Sequence, residues 1–473
     1  MNPINRDILK LAIPSILANI TVPIVGMVDI AVAGHLDASA ATLIGGIAVG
    51  SMLFDLLYWN FGFLRVGTGG LTAQAFGRKD WKECARILTR ALGMSMAIAC
   101  CLLLIQWVFV KAAFLVVDCS PEVQELASRY FFIRIWAAPA TLSLMALKGW
   151  FIGMQDSVSP MVTDFVVNGM NILMSIALAL GVALPLGGSA APEMASRVLL
   201  PAMGFPGIAL GTVAAQYSGL LVALLIVVFK YRRKVFADFA FADLRGVFKG
   251  SETRRFFVMN ADLFVRSLCF IAIYIGFTVI SARYGDLLLA VSSIMMKILM
   301  IFSYFTDGFA YAGEAMTGRY IGAGDPVNLR KTVKWTFIWS MGLALLFIAI
   351  YHFGGVHLLR MMTSDAAVVD ASRDFLPWLL LMPVVGCAAF TWDGIFIGAT
   401  GSREMRNSML WSVVAFAGVW SLGLLLLTTL GPDDATQYDI LAMHILMAAY
   451  FAHLLARTIY LTLKSRAVLR MLK

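Results

Sequence analysis

Charged side chains are scarce in this sequence. They make up 14% of its 473 residues, where a soluble domain carries roughly a quarter. Hydrophobic residues make up 60%, and mean hydropathy is +0.83. A chain so poor in charge cannot cover a water-facing surface, which excludes a soluble protein of two or three domains and leaves lipid as the solvent. The short alternating segments of a membrane barrel are missing as well. The apolar runs instead approach the ~20 residues that a helix needs to cross a hydrocarbon core, so the expected class is an all-α membrane protein. Cysteine is sparse: Cys84, Cys100, Cys101, Cys119, Cys269 and Cys387 fall mostly inside apolar runs, with no metal-ligand or disulfide spacing. No glycine-rich phosphate loop followed by Lys occurs, so direct ATP coupling lacks support. His35, His352, His357, His444 and His453 are scattered without ligand spacing. No clustered nucleophile and base is found. The chain is read as no enzyme, with no cofactor and no metal site.

What is present is a series of long apolar segments. Helices are expected near 8–34, 43–75, 87–117, 123–147, 160–182, 206–229, 256–282, 288–318, 335–355, 374–398, 408–430 and 440–462. The first begins close to Asp7 with no small-residue cleavage site before or after it, and reads as a spanning helix rather than a removable signal. The net charge of +9 could suggest a nucleic-acid partner, but its distribution points elsewhere. Alternate loops and both terminal segments hold most of the Lys and Arg, including Lys148, the run Lys230 to Lys234, and Arg457 with Lys464 near the end. The opposite loops hold only Lys111, Arg129, Arg197, Arg283, Arg360 and Arg373. The basic side is expected to be cytoplasmic, with both termini inside, an even number of spans and no nucleic-acid partner.

The segment near 230–255 is long, charged and central. On either side of it the sequence repeats at a constant offset of 245: Thr72, Gly77 and Asp80 match Thr317, Gly322 and Asp325, Phe151-Ile152-Gly153 matches Phe396-Ile397-Gly398, and Ser157 matches Ser402. One offset holding over so long a stretch implies duplication. The expected organisation is an N-terminal six-helix lobe at 1–230, a cytoplasmic linker at 231–253 and a C-terminal six-helix lobe at 254–473. Six helices per half make the repeats parallel, related by an axis along the membrane normal, with a cleft between lobes that can rock. Gly149 with Gly153, and Gly394 with Gly398, are small-xxx-small pairs suited to close helix packing.

Ionisable residues at membrane depth cost roughly 2.5–3.5 kcal/mol each and require a reason. Asp29 lies in the first helix, six residues after Pro23. Apolar surroundings favour its neutral form, which suits a carboxyl that binds and releases a proton. Pro23 withholds a backbone donor from Asn19 and makes a bend possible, so it is the candidate hinge. A carboxyl held neutral by fixed hydrogen bonds is the structural alternative. Asn168, Asn171 and Ser175 in the fifth helix and Thr212 in the sixth could reach the same interior, or could simply bond neighbouring helices. In the second half Asp262 and Arg266 stand four apart on one face, where they could pair or bind substrate. Asp307 and Glu314 share a face of the next helix. Asp393, Lys297, Arg65 and Arg134 complete the set of candidate cavity residues. Four bases at such depth (Arg65, Arg134, Arg266, Lys297) are unusual for a pump of cations alone, unless they pair with these acids or snorkel.

Several stretches resemble the multidrug and toxic compound extrusion transporters, in particular their DinF branch. They are Ile20-Thr21-Val22-Pro23 through Val28-Asp29 with Gly34-His35-Leu36; Gly70 to Gly77; Asp307-Gly308-Phe309-Ala310-Tyr311-Ala312 with Glu314; Asp393-Gly394 with Phe396 to Thr400; and Glu404 to Met409. The resemblance covers nearly the whole chain. It implies twelve helices in two lobes, alternating access, and export of small molecules from a bacterial-type inner membrane coupled to inward H⁺ or Na⁺. It also implies an ion site at Asp29, Asn171 and Thr212. The second carboxylate of that site falls at Ser175 here, which weakens a Na⁺ site and favours H⁺. The segment 182–205 is longer than the family's usual connection and is expected to be an extracellular or re-entrant loop. The protein is expected to be a monomer that expels amphipathic, often cationic compounds. Export or flipping of an anionic, lipid-linked substrate is the alternative.

Overall fold

The computed structural model describes residues 3–34, 40–115, 117, 119–185, 196–237, 246–363, 365–432 and 434–470. In the first half α1 spans Pro3–Gly34. Next, α2 (Ala40–Trp59) continues through a 3₁₀ turn at Asn60–Gly62 into α3 (Phe63–Gly77). α4 spans Trp81–Ala113, and α5 (Pro121–Arg134) continues through Ile135–Ala137 into α6 (Ala138–Gly153). α7 spans Val158–Leu180, and α8 (Phe205–Ile226) runs on through a π-turn to Val235. In the second half the helices are α9 (Ser251–Ser281), α10 (Gly285–Gly322), α11 (Pro326–Met362), a short α12 (Ala366–Arg373) leading into α13 (Leu376–Gly398), α14 (Ser402–Leu430) and α15 (Ala435–Arg470). With α2/α3, α5/α6 and α12/α13 each counted as one pass, these helices make twelve passes among the described residues. The membrane protein is all-α in its spans, as its hydropathy implies.

Two of the expected single helices, 43–75 and 123–147, contain 3₁₀ turns that hydropathy does not register. Helix starts are also earlier than the apolar runs. Asp80 accepts the Glu83 N–H at 3.0 Å, and Asp325 accepts the Asn328 N–H at 3.0 Å, so α4 and α11 begin in polar sequence ahead of their lipid-facing parts. The two caps obey the 245 offset. The Asn328 backbone N–H holds the Asp325 carboxyl below the usual carboxylate range. Within 182–205 the backbone forms a two-stranded ribbon instead of a loop alone. β1 (Val182–Pro185) pairs antiparallel with β2 (Ser196–Leu200), Val182 lying opposite Leu200. Part of the expected linker, 238–245, lies outside the described residues. The part that follows is docked and not a tether: Arg90 Nε donates to the Val247 carbonyl at 2.7 Å.

Caps, turns and helix ends at Pro3, Gly77, Asp80, Gly153, Asp156 and Asp325 lie at one end of the bundle, called here the basic end. There Asp156 ties the α6–α7 turn to α8, accepting from Lys230 Nζ at 2.7 Å, from Tyr231 Oη at 2.6 Å and from Ser159 Oγ. Burial raises the Asp156 carboxyl, but these bonds outweigh it and hold the group below its ordinary range.

The glycine pairs act as packing devices. A Cβ on Gly149 would strike the Arg65 carbonyl oxygen, and one on Gly394 would strike that of Ala310, the equivalent residue. Gly153 and Gly398 sit in the same way against the backbone oxygens of Gly69 and Glu314. Each lobe thus builds its centre by backbone contact between α3 and α6, or between α10 and α13. Replacing Gly149 or Gly394 with Ala is expected to destabilise the folded protein by about 1–3 kcal/mol, the range for overpacking, read as a lowered unfolding midpoint in detergent.

Candidate functional site

Three groups of polar residues occupy the interior. The first lies in the N-terminal lobe. Asp29 of α1 is buried and lies near Ser175 of α7, whose Oγ donates to the Ile208 carbonyl at 3.5 Å. Asn171 Nδ2 donates to Thr212 Oγ1 at 2.9 Å, joining α7 to α8. The two helices can approach because Gly211 faces the Ser175 backbone, with room for no Cβ. Two acceptors here are buried and without a hydrogen-bond partner among the described residues, Asp29 Oδ1 and Asn171 Oδ1. Asn168 does not join them. Its Nδ2 donates to Thr21 Oγ1 at 2.5 Å, fastening α7 to α1 two residues ahead of Pro23. The backbone of α1 is helical through Pro23, and the Pro23 side chain lies outside the described residues.

This site has no copy in the other lobe. Shifted by 245, Asp29, Asn171, Ser175 and Thr212 become Tyr274, Phe416, Trp420 and Arg457. The C-terminal lobe holds a different cluster. Asp393 of α13 accepts from Arg457 Nε at 3.0 Å and from Arg457 Nη2, and also from Arg266 Nη2 of α9. Arg457 is 2% exposed. The expected Asp262–Arg266 pair does not form. Asp262 instead accepts from Arg406 Nη1 at 2.6 Å and Ser402 Oγ at 2.9 Å, because α14 presents stronger partners than the next turn of its own helix. Lys148 and Arg457, which the charge count assigned to basic loops, both lie within helices; Lys148 Nζ bonds Asp164 at 2.8 Å.

The third group joins the lobes. Arg65 of α3 reaches Glu314 of α10 at 3.1 Å and stacks over the Tyr311 ring at 4.4 Å. Glu314 is fully buried, and one of its carboxyl oxygens fills the place where Gly69 lacks a side chain. Gly69 and Glu314 are equivalent positions of the repeat, as are Ala73 and Gly318, which also meet. Gly77 lies on the Arg319 carbonyl and Gly322 on that of Gln74, again a symmetric exchange. Gln74 Nε2 donates to the Gly398 carbonyl at 3.0 Å, and Arg319 approaches Asp7 at 3.6 Å. The pseudo-twofold axis therefore passes between α3 and α10, and the lobes are shut together at the basic end.

Asp307 is partly exposed and makes no hydrogen bond or ion pair among the described residues. Arg134 bonds Tyr130 Oη at 3.1 Å and Ser51 Oγ at 3.4 Å and stacks on Phe54 at 4.8 Å, with no acid at ion-pair distance among the described residues. Lys297 is exposed. So is Asp55 of α2, which the sequence reading passed over although it carries the signal that singled out Asp29, an acid inside an apolar run.

The MatE family model matches the chain twice, at residues 14–177 and 263–426. DNA damage-inducible protein F of Escherichia coli (strain K12) is 36% identical over 429 residues, covering 90% of this chain and 87% of that protein. A transporter of this family solved in the bent conformation matches with TM-score 0.80 at 16% identity, over 99% of this chain and 96% of the other. A transporter of the MOP superfamily from Pyrococcus furiosus, described as having reverse polarity of its binding pocket, matches with TM-score 0.79 at 15% identity, over 99% and 97%. Two copies of one family model, a relative alike along nearly its full length and a shared two-repeat fold lead to one conclusion: the chain belongs to the multidrug and toxic compound extrusion family of membrane transporters, in its DinF-like branch.

Proposed function

We propose that the chain is a secondary antiporter that exports amphipathic, often cationic compounds by alternating access, driven by inward H⁺ flow through Asp29. The observation that carries this reading is the buried carboxyl of Asp29. Among the described residues it has one unpartnered oxygen, as does Asn171 of the same lobe, and its equivalent in the other lobe is Tyr274. A group with a vacant acceptor in a dry interior can take up a proton without breaking a structural bond. The same residues suit Na⁺ poorly. They offer one carboxylate with amide and hydroxyl oxygens, where a cation favours more negative charge, and Ser175 stands where a second carboxylate would complete the set. Asn168 bound to Thr21 anchors α7 to α1 just ahead of Pro23, the candidate hinge. The basic end is assigned to the cytoplasm by its Lys and Arg, which puts both termini inside and makes this form closed inward. A monomer suffices, since both lobes and their interface come from one chain.

The anionic-substrate alternative has less support. Of the four bases that would favour it, Arg65 and Arg266 are paired with Glu314 and Asp393, which leaves Arg134 and Lys297 without an acid at ion-pair distance among the described residues. The test is uptake into proteoliposomes under imposed gradients. A pH gradient alone is expected to drive accumulation of a lipophilic cation, and dissipating it to end accumulation whether or not Na⁺ is present. Transport that persists on a Na⁺ gradient after the pH gradient is collapsed would overturn proton coupling.

A further inference from the structure

The two passes that carry the closed ion pair, α2/α3 and α10, carry a second, open pair of opposite charges. From Gly69, α3 and α2 lead back to Asp55, about 21 Å along the helix axis at 1.5 Å per residue. From Glu314, α10 leads back to Lys297, about 25 Å in the same direction. The inter-lobe contacts reach partway. At roughly 15 Å from the Gly69–Glu314 crossing, Trp59 lies edge-on to Tyr274 with ring centroids 5.1 Å apart, and Asn19 Nδ2 donates to the Tyr304 carbonyl at 3.2 Å. Asp55 and Lys297 stand beyond these contacts.

Both side chains point into the space between the lobes. Lys297, Tyr304, Tyr311 and Glu314 recur at intervals of seven, seven and three, so they share one face of α10, and Tyr311 and Glu314 on that face touch Arg65 of the other lobe. Asp55 stands one turn before Trp59 on the face of α2 that meets α9. Both charges are exposed, and neither has a hydrogen bond or an ion-pair partner among the described residues, though the Asp55 carboxyl feels the charges of Arg134 and Lys297. Under the repeat Asp55 corresponds to position 300, one turn from Lys297, so the two face each other across the axis as Gly69 and Glu314 do. The signs are crossed: base on the N-terminal lobe and acid on the C-terminal lobe at the closed end, and the reverse at the open end.

We propose that Asp55 and Lys297 form the latch of the opposite state: when the lobes rock and Arg65 parts from Glu314, Asp55 and Lys297 pair and shut the cleft at its far end. An unpaired charge at membrane depth is expensive, and closing the cleft would strand both unless they met. The device makes the two closures alternatives, one ion pair exchanged for the other, so the cleft is not left sealed or open at both ends. The inference rests on the alternating-access reading above.

The test uses the full-length chain. Lys297→Asp and Asp55→Lys, each of which sets like charges face to face, are expected to slow transport on the order of tenfold. The exchange of both, Asp55→Lys with Lys297→Asp, is expected to restore it to within about threefold. In a second arm, cysteines replace Asp55 and Lys297 in a protein whose six native cysteines are changed to Ala. A short bis-thiol reagent is expected to join them during turnover and arrest transport. Single reversals without effect overturn the proposal. So does a cross-link that forms and arrests transport while the exchanged pair stays as slow as the single variants, a result that leaves alternating access standing. An exchange that instead alters KM according to the charge of the transported compound assigns the pair to substrate and overturns the latch. A cross-link that never forms under turnover, in protein that still transports, removes both the latch and the rocking closure beneath it.

Discussion

Asp29→Asn is expected to abolish uphill transport while leaving the lobes folded. One pH unit is worth 1.36 kcal/mol per proton, so a gradient of about two units can sustain roughly a hundredfold concentration ratio of a substrate exchanged for one proton. Without the titratable group that ratio falls to the equilibrium level near one, measured as internal substrate at steady state in proteoliposomes. Asn matches the shape of a protonated carboxyl and can keep contact with Ser175, so the unfolding midpoint should stay within about 1 kcal/mol of the parent, the usual size of a single hydrogen bond. Asp29→Glu keeps the charge chemistry but must fit a longer side chain into a buried space, and should retain partial accumulation. If the Asn variant still concentrates substrate a hundredfold, the proton passes elsewhere, and Asp307 is the next place to look. It is partly exposed and unpaired among the described residues, at the level where the lobes meet.

The membrane class and the repeat were legible in the sequence because each rests on a property summed over many residues. Hydropathy marks a span whatever its neighbours are, and a constant offset survives any error at a single position. The glycines illustrate this. Spacing alone marks Gly149 and Gly394 as packing residues, and both lie on the backbone oxygens of equivalent partners. The polar interior was legible only in part. An acid within an apolar run is visible in sequence, as Asp29 shows, but its partner depends on which helix lies alongside. Asp262 and Arg266 stand four apart and still chose Arg406 and Asp393. Asn168 and Asn171 are three apart and bond different helices, α1 and α8. Helix ends misled in another way. The first and last turns extend past the apolar run, so an apolar window starts a helix too late and ends it too soon, which leaves Lys148 in an expected loop although it lies inside α6.

The Asp393 cluster bears the second large effect. Arg457 is buried with its guanidinium turned onto Asp393, and Arg266 shares the same carboxylate. Breaking a buried pair by removing one partner costs about 3–5 kcal/mol, because an uncompensated charge stays behind. Asp393→Ala is therefore expected to lower the unfolding midpoint sharply. Arg266, 20% exposed at its side chain, can turn its head into the cleft, whereas Arg457 cannot follow. Replacing both members, Asp393→Leu with Arg457→Met, should recover most of the loss, since apolar residues of similar volume often match a buried ion pair. Asp393→Asn separates structure from transport. The amide keeps an oxygen for Arg457 but gives up the charge. A cluster that only braces α9, α13 and α15 then loses stability in step with activity, while an acid that takes part in transport loses activity at nearly unchanged midpoint. Because two arginines already neutralise this carboxylate, the expected result is the first: Asp393 serves as the brace of the C-terminal lobe, and the exchangeable charge is left to Asp29.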